Sequence, residues 1–130
     1  AYEKVLSSIK NLNKGKINIL FGCGGNRDET KRATMGAIAD KYSDYLWITP
    51  DNPRLEDIDK INNQIINGIK SNHYSSYKDR GKGLKDALGT LKNDDILIVL
   101  GKGRENYQLI KNERIFHSDY EIIMEYINEN

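Results

Sequence analysis

The chain has 130 residues, of which 38% are hydrophobic and 30% are charged. No run approaches the roughly 20 apolar positions of a membrane span, and the 20 basic and 19 acidic residues are mixed, so no basic stripe for nucleic acid exists. The single cysteine, Cys23, cannot form an internal disulfide, and no secretory signal pattern is visible. Composition therefore predicts one cytoplasmic domain that binds neither membranes nor nucleic acid.

Apolar periodicity predicts helices and strands in alternation. In chain order the predicted elements are a helix over Tyr2–Leu12, a strand over Ile17–Gly22, a helix over Lys31–Tyr42, a strand over Tyr45–Ile48, a helix over Leu55–Lys70, a weak strand over His73–Tyr77, a helix over Gly81–Lys92, a strand over Ile96–Leu100, a hairpin of Tyr107–Ile110 with Glu113–Phe116, and a helix over Asp119–Ile127. Residues expected to face the core include Val5, Leu6, Ile9 and Leu12 in the first helix and Ile122, Ile123, Tyr126 and Ile127 in the last.

The strand over Ile96–Leu100 is apolar without interruption, so we expect it to be central and buried on both faces. Strand-helix alternation predicts an α/β fold, a Rossmann-like three-layer sandwich with a mostly parallel sheet, helices on both faces and an antiparallel edge hairpin. No strand precedes the first helix, so we expect the chain to be a fragment whose first strand lies upstream of Ala1.

Three polar loops follow predicted strands: Gly24–Asp28, Asp51–Arg54 and Gly101–Glu105. Because parallel strands end at one edge of a sheet, we expect these loops to share a rim. The second loop contains both of the chain's prolines, Pro50 and Pro53, and is therefore stiff.

In that second loop, Asp51, Asn52 and Arg54 could clamp a zwitterion. A rigid turn, in which Asp51 or Asn52 bonds its own backbone and Arg54 is solvated, explains the same residues equally well.

Glycines and Arg27 in the first loop suit an anion, but the spacing is neither a P-loop nor a dinucleotide fingerprint. A tight turn with a solvated arginine is the alternative. The third loop, with Lys102, Arg104 and Glu105 among glycines, is as an isolated motif more often a solvated turn. We predict that Cys23 is a small buried thiol.

Other residues give no functional signal. His73 and His117 lack partners at ligand spacing, which predicts no metal site, and Trp47 is expected in the core.

Taken together, the loops resemble one family. The matching segments are Phe21–Asp28, Lys31-Arg32 with Met35-Gly36, Asp51-Asn52-Pro53-Arg54, Gly101–Gln108 and Ser118-Asp119. In that order they resemble the carboxy-terminal, amino-acid-binding domain of a Mur ligase over residues 1–130, specifically the UDP-N-acetylmuramoyl-tripeptide synthetase branch that adds meso-diaminopimelate.

The resemblance implies a cytoplasmic, ATP-dependent ligase of peptidoglycan synthesis that adds a diamino diacid to UDP-MurNAc-L-Ala-D-Glu through an acyl phosphate. ATP and Mg²⁺ would act in the full-length enzyme, and this domain alone would hold neither tightly. Arg27 and Arg54 would grip the distal carboxylate, and Asn52, Gly101 and Glu105 the distal amino group. Asp51 and Pro53 complete the motif, and no residue is assigned to ATP or to catalysis.

The chain departs from the family pattern in places. Ala33 stands where a proline is usual, and Arg104-Glu105-Asn106 stands where His-Glu-Asp is usual, so a diacid such as meso-lanthionine would satisfy the same charges. The P-loop, the carbamylated lysine and the segment preceding the first helix are absent, so we expect the chain alone to be inactive. The alternatives are a stand-alone amino-acid or nucleotide binding module, or a domain of a folylpolyglutamate or cyanophycin synthetase.

Overall fold

The computed structural model describes residues 2–129, and a four-stranded parallel sheet lies at its centre. The strands are β1 (Ile17–Phe21), β2 (Tyr45–Ile48), β3 (Tyr74–Ser76) and β4 (Ile96–Val99), in the spatial order β3-β2-β1-β4. All three pairings are parallel, with Leu20 opposite both Trp47 and Val99. This arrangement confirms the predicted α/β class.

Helices cover both faces of the sheet. They are α1 (Tyr2–Leu12), α2 (Arg32–Tyr42), α3 (Ile58–Ile66), α4 (Arg80–Thr90) and α5 (Asp119–Glu129). Alternate residues of β1 point to opposite faces, so Ile19 packs with the apolar residues of α1, α2 and α3, while Leu20 packs with those of α4 and α5. The three layers of the predicted sandwich are therefore present.

Helix boundaries follow capping groups. The Asp57 carboxylate accepts a hydrogen bond from Lys60 N at 3.2 Å, so α3 begins at Ile58, later than predicted, and Leu55 stays 67% exposed. Asp28 caps a 3₁₀ turn over Glu29–Lys31 that precedes α2. In α5, Ser118 Oγ accepts from Glu121 N, as predicted.

Among residues 2–129, β4 does not have the central position that its sequence predicts. Within residues 2–129, β4 pairs only with β1 and lies at the edge of the sheet, and each of its residues is half-buried. Leu97 and Ile98 nevertheless pack in opposite layers of the core. A continuous apolar run indicates that both faces of a strand are covered, and an edge strand can also be covered on both faces. Such a run therefore does not predict the order of strands in the sheet.

The hairpin β5 (Tyr107–Ile110) and β6 (Glu113–Phe116) forms a separate two-stranded antiparallel sheet rather than an edge of the main sheet. It is attached to the proline loop, where Arg54 N donates to Leu109 O at 2.8 Å and Lys111 N donates to Arg54 O at 2.6 Å. The hairpin therefore braces the second loop.

Three residues predicted to pack are exposed instead: Val5, Leu12 and Ile127, at 57%, 84% and 58%. Each lies three or four positions from a packed residue, Ile9 or Ile123, and so matches the apolar period. Periodicity therefore does not show how far along and around a helix the contact with the core extends. None of the helices described is long and apolar enough to cross a membrane.

Candidate functional site

The three polar loops meet at the carboxyl ends of β1, β2 and β4, as predicted. They surround a cleft of about 450 Å³. Its lining comes from the first loop, the start of α2 and the roots of the other two loops: Phe21, Gly22, Cys23, Gly24, Arg27, Asp28, Lys31, Arg32, Met35, Asp51, Leu100 and Gly101. The site is thus set by strand direction, since parallel strands deliver their following loops to one rim.

A buried ion pair holds the first loop in place. Arg32 is 1% exposed, and its guanidinium bonds both oxygens of Glu56 at 2.9 and 3.0 Å and the Gly24 carbonyl at 2.9 Å. Glu56 in turn accepts from Asn26 N. The hydrogen bonds from Arg32 lower the pKa of Glu56 to about 2, so this anchor is charged at neutral pH.

The Arg27 and Arg54 side chains both lie beside Gly24 at the rim. A Cβ atom placed on Gly24 would lie 3.0 Å from Arg54 Nη1 and 3.4 Å from Arg27 Cγ. Arg54 Nη1 donates to the carbonyls of Gly25 and Asn52, at 2.9 and 3.3 Å. Neither arginine has a carboxylate partner among residues 2–129. The rim therefore carries two uncompensated cations.

The backbone of Arg54 adopts the left-handed conformation, with φ of 54°. Its amide and carbonyl are both bonded to the hairpin, which stabilises this uncommon geometry in a residue other than glycine. Gly25 lies so close to the Pro53 carbonyl that a Cβ atom would collide with it. Pro53 and Gly25 thereby bring the first and second loops into contact.

Lys102 is the buried cation of the third loop, and its side chain is fully shielded from solvent. Its Nζ lies 2.5 Å from Asn52 Oδ1, 2.9 Å from the Tyr107 carbonyl and 3.2 Å from Glu105 Oε1. Asp51 Oδ1 lies 3.3 Å away without hydrogen-bond geometry. The sequence predicts a solvated turn for Lys102, because flanking glycines do not distinguish a buried lysine from an exposed one.

Asn52 is 9% exposed, and its carboxamide oxygen is already engaged. Oδ1 accepts from Lys102 Nζ and from Leu109 N, the latter at 2.9 Å. Both partners are donors, which assigns the amide orientation. Nδ2 makes no hydrogen bond to another described residue. Asn52 can thus offer a ligand only N–H groups, which suits a carboxylate and not the ammonium suggested by the resemblance.

The seven predicted site residues are only partly gathered in one hollow. Arg27, Asp51 and Gly101 line the cleft. Asn52 and Pro53 are buried beneath the rim. Arg54 and Glu105 do not line the cleft, because Arg54 is turned onto the Gly25 carbonyl and Glu105 onto Lys102.

Gly101 has a positive φ of 109°, and a Cβ atom there would lie 3.3 Å from Asp51 Oδ2. Glycine at this position therefore keeps the space beside the Asp51 carboxylate open.

A second buried network, also missed from sequence, lies under the roots of the second and third loops. Arg80 is fully buried and makes a bidentate pair with Asp119, at 3.0 and 2.8 Å. It also donates to the carbonyls of Leu100 and Pro50. His117 Nε2 lies 2.6 Å from Asp119 Oδ1. Burial alone would raise the pKa of Asp119, but hydrogen bonds from His117 and Arg80 outweigh it and lower the pKa to about 2.

Cys23 lines the cleft and is half-buried. Burial raises the pKa of its thiol to about 11, against the opposing effect of nearby Arg32, so it is protonated at neutral pH. Across residues 2–129, no group of His, Cys, Asp and Glu side chains is arranged to hold a metal ion.

Comparison with known proteins identifies the family. Residues 1–103 match the family model described as "Mur ligase, glutamate ligase domain". The chain belongs to the Mur ligase family. Similar curated proteins include UDP-N-acetylmuramoyl-L-alanyl-D-glutamate--2,6-diaminopimelate ligases from Rickettsia bellii, 48% identical over 94% of this chain and 26% of the relative, and Clostridium acetobutylicum, 42% identical over 98% and 26%.

A solved structure shares this Mur ligase fold. It is described as a UDP-N-acetylmuramoyl-L-alanyl-D-glutamate--2,6-diaminopimelate ligase and superposes with a TM-score of 0.90 at 32% identity, covering 98% of this chain and 26% of that one. The chain spans about a quarter of the length of the relatives it matches.

Proposed function

We propose that this chain is the amino-acid-binding domain of an ATP-dependent ligase that adds meso-diaminopimelate, or a similar diamino diacid, to UDP-MurNAc-L-Ala-D-Glu in peptidoglycan synthesis. The names of the relatives support this reaction. The cytoplasmic location expected from the sequence belongs to the same proposal.

The observation that carries the proposal is the division of charge at the rim. The Arg27 and Arg54 side chains both lie beside Gly24, and neither has a carboxylate partner among residues 2–129. Around Lys102, Asp51 and Glu105 supply two negative charges against its single positive charge. A diamino diacid presents a carboxylate and an ammonium at its distal end, which complement these two groups.

The free donor of Asn52 modifies the roles that the resemblance implied. We assign Asn52 Nδ2 to the distal carboxylate together with Arg27 and Arg54. The ammonium is assigned to Asp51 and Glu105, with Gly101 leaving room for it. Arg54 and Glu105 would have to turn toward the cleft, and both are side chains with a partly exposed surface.

The domain would act by positioning. Holding the distal end of the diamino acid orients its reacting amine toward an activated carboxyl bound elsewhere in the full-length protein, which raises the effective concentration of the amine. No residue of this chain is assigned a proton transfer.

ATP, the co-substrate of the family, would supply the energy for amide formation, and Mg²⁺ would accompany it. The described residues do not fit a nucleotide-phosphate or metal site of their own. They contain no P-loop and no cluster of metal ligands. We therefore assign both to the remaining three quarters of the protein.

We further propose that a strand from that remaining part pairs with β4. The strand β4 is apolar and half-buried, and its outer edge has no partner among residues 2–129. An unpaired apolar edge would promote aggregation. Alternate amides of β4, beginning with Ile96, already donate toward β1, so the Leu97 and Val99 amides face the outer edge. Slow exchange of these two amides in the full-length protein would support this pairing, and rapid exchange would oppose it.

The ligase proposal is tested by phosphate release from ATP with the full-length protein and UDP-MurNAc-L-Ala-D-Glu. We expect release with meso-diaminopimelate or meso-lanthionine, and a kcat/KM for L-lysine at least about 30-fold lower, because lysine lacks the distal carboxylate and forfeits a charge-assisted contact.

Three outcomes would contradict the proposal. Equal kcat/KM values for L-lysine and the diamino diacid would mean that Arg27 and Arg54 do not recognise the distal carboxylate. Binding of the diacid without ATP hydrolysis would indicate a stand-alone binding module. Activity with a folate or a polypeptide acceptor instead of the UDP-linked one would indicate a different branch of the family.

A further inference from the structure

Lys102 contacts three of the polar residues assigned to the ligand: Asp51, Asn52 and Glu105. An ammonium group without solvent costs several kcal/mol unless it is paired and hydrogen-bonded. The oxygens around Nζ come from the second loop, the third loop and β5, so Lys102 joins these three segments at one point.

The contact with Asn52 decides which end of the carboxamide is free. Lys102 Nζ and Leu109 N can only donate, so together they hold Oδ1 and leave Nδ2 as the group available to a ligand. Without the lysine, Leu109 N alone would hold the amide, and Nδ2 could point elsewhere.

Lys102 also sets the net charge of the group that it forms with Asp51 and Glu105. With Asp51 and Glu105 it forms a group of one cation and two anions, which has one net negative charge. That charge matches a single ammonium. Without Lys102, the Asp51 and Glu105 carboxylates would lose the cation that both contact, and their net charge would rise from one to two negative charges.

We propose that Lys102 is a positioning residue that determines selectivity for a diamino diacid, by locking Asn52 as a donor and by leaving one net negative charge beside it. This inference rests on the proposed function. Lys102 itself touches no substrate, and it acts through Asn52, Asp51 and Glu105.

The test uses Lys102→Met in the full-length enzyme, with Lys85→Met, an exposed lysine on α4, as the matched control. We expect the KM for meso-diaminopimelate to rise about tenfold to a hundredfold, because a hydrogen bond to a charged group is lost. The KM for ATP should stay within about twofold. The preference for meso-diaminopimelate over L-lysine, as a ratio of kcat/KM values, should fall at least about tenfold.

A purely structural role would lower kcat for both amino acids in proportion and leave that ratio unchanged. If Lys102→Met does not fold, Lys102→Gln, which keeps an N–H donor and loses the charge, is measured instead, and its ratio should fall by a smaller factor. A folded variant with an unchanged ratio overturns the inference and leaves the proposed function intact. Wild-type enzyme without diaminopimelate-dependent phosphate release overturns both.

Discussion

Two regions of the molecule use arginine in opposite ways. Beneath the loops, Arg32 and Arg80 are sealed from solvent, and each is held by a carboxylate, Glu56 or Asp119. At the rim, Arg27 and Arg54 have no carboxylate partner within the described residues. The comparison teaches that pairing, more than position along the chain, separates arginines that hold loops in place from arginines that remain available to a ligand.

The largest effect is expected when a paired arginine is removed. Arg80→Met leaves Asp119 as a buried charge with a single remaining partner, His117. We expect the free energy of unfolding to fall by about 3 to 5 kcal/mol. Hydrogen exchange of the α4 and α5 amides measures this for the domain itself. Lys82→Met, on the exposed face of the same helix, should change it by less than about 0.5 kcal/mol. A loss below about 1 kcal/mol for Arg80→Met would show that the pair is not an anchor.

The next largest effect is expected when the rim residue Arg54 is replaced, and it should appear in the binding of the amino-acid substrate. Arg54→Lys keeps the charge but loses the planar fork, so we expect the KM for meso-diaminopimelate to rise at least about 30-fold. Stability should change by no more than about 1 kcal/mol, since the lost bonds go to two backbone carbonyls. The control is Arg114→Lys on β6, where the guanidinium lies over the Tyr107 ring. An unchanged KM would refute the clamp.

The paired region should also respond to acid. The pKa values of Glu56 and Asp119 are lowered in the folded protein to about 2, from 4.5 and 3.8. The folded state therefore binds fewer protons than the unfolded one, and the stabilisation, full above about pH 4.5, is lost as the pH falls toward 2. For Asp119 this amounts to about 2 kcal/mol. Denaturation at several pH values measures it, with Asp119→Asn as the variant whose acid dependence should be shallower. A flat profile would contradict the pairing.

The smallest expected effect is on the reactivity of Cys23. It tests how strongly Arg32, which is paired with Glu56, affects the pKa of the nearby thiol. Arg32 lies near Cys23, yet burial outweighs its charge and raises the pKa of the thiol to about 11. Alkylation of Cys23 by iodoacetamide, followed by mass spectrometry, should accelerate with pH beyond 9 instead of levelling off there. A plateau below pH 9 would mean that the positive charge of Arg32, in spite of its pairing with Glu56, lowers the pKa of the Cys23 thiol more than burial raises it.

The sequence by itself determined the element order, the parallel sheet with helices on both faces, and the meeting of three loops at one rim. These features follow from periodicity and strand direction, which are local. Strand order was not accessible, and β4 lies at the edge of the described sheet although its apolar run suggested the centre. The roles of single charged residues were equally inaccessible.

Only the tertiary structure decided that Lys102 and Arg80 are buried and that the oxygen of Asn52 is occupied. The physical reason is that the sequence shows which residue is charged, and does not show whether its side chain is solvated or paired with an opposite charge. Its free energy depends on partners from distant segments, such as Asp119 for Arg80, which come together only when the chain folds.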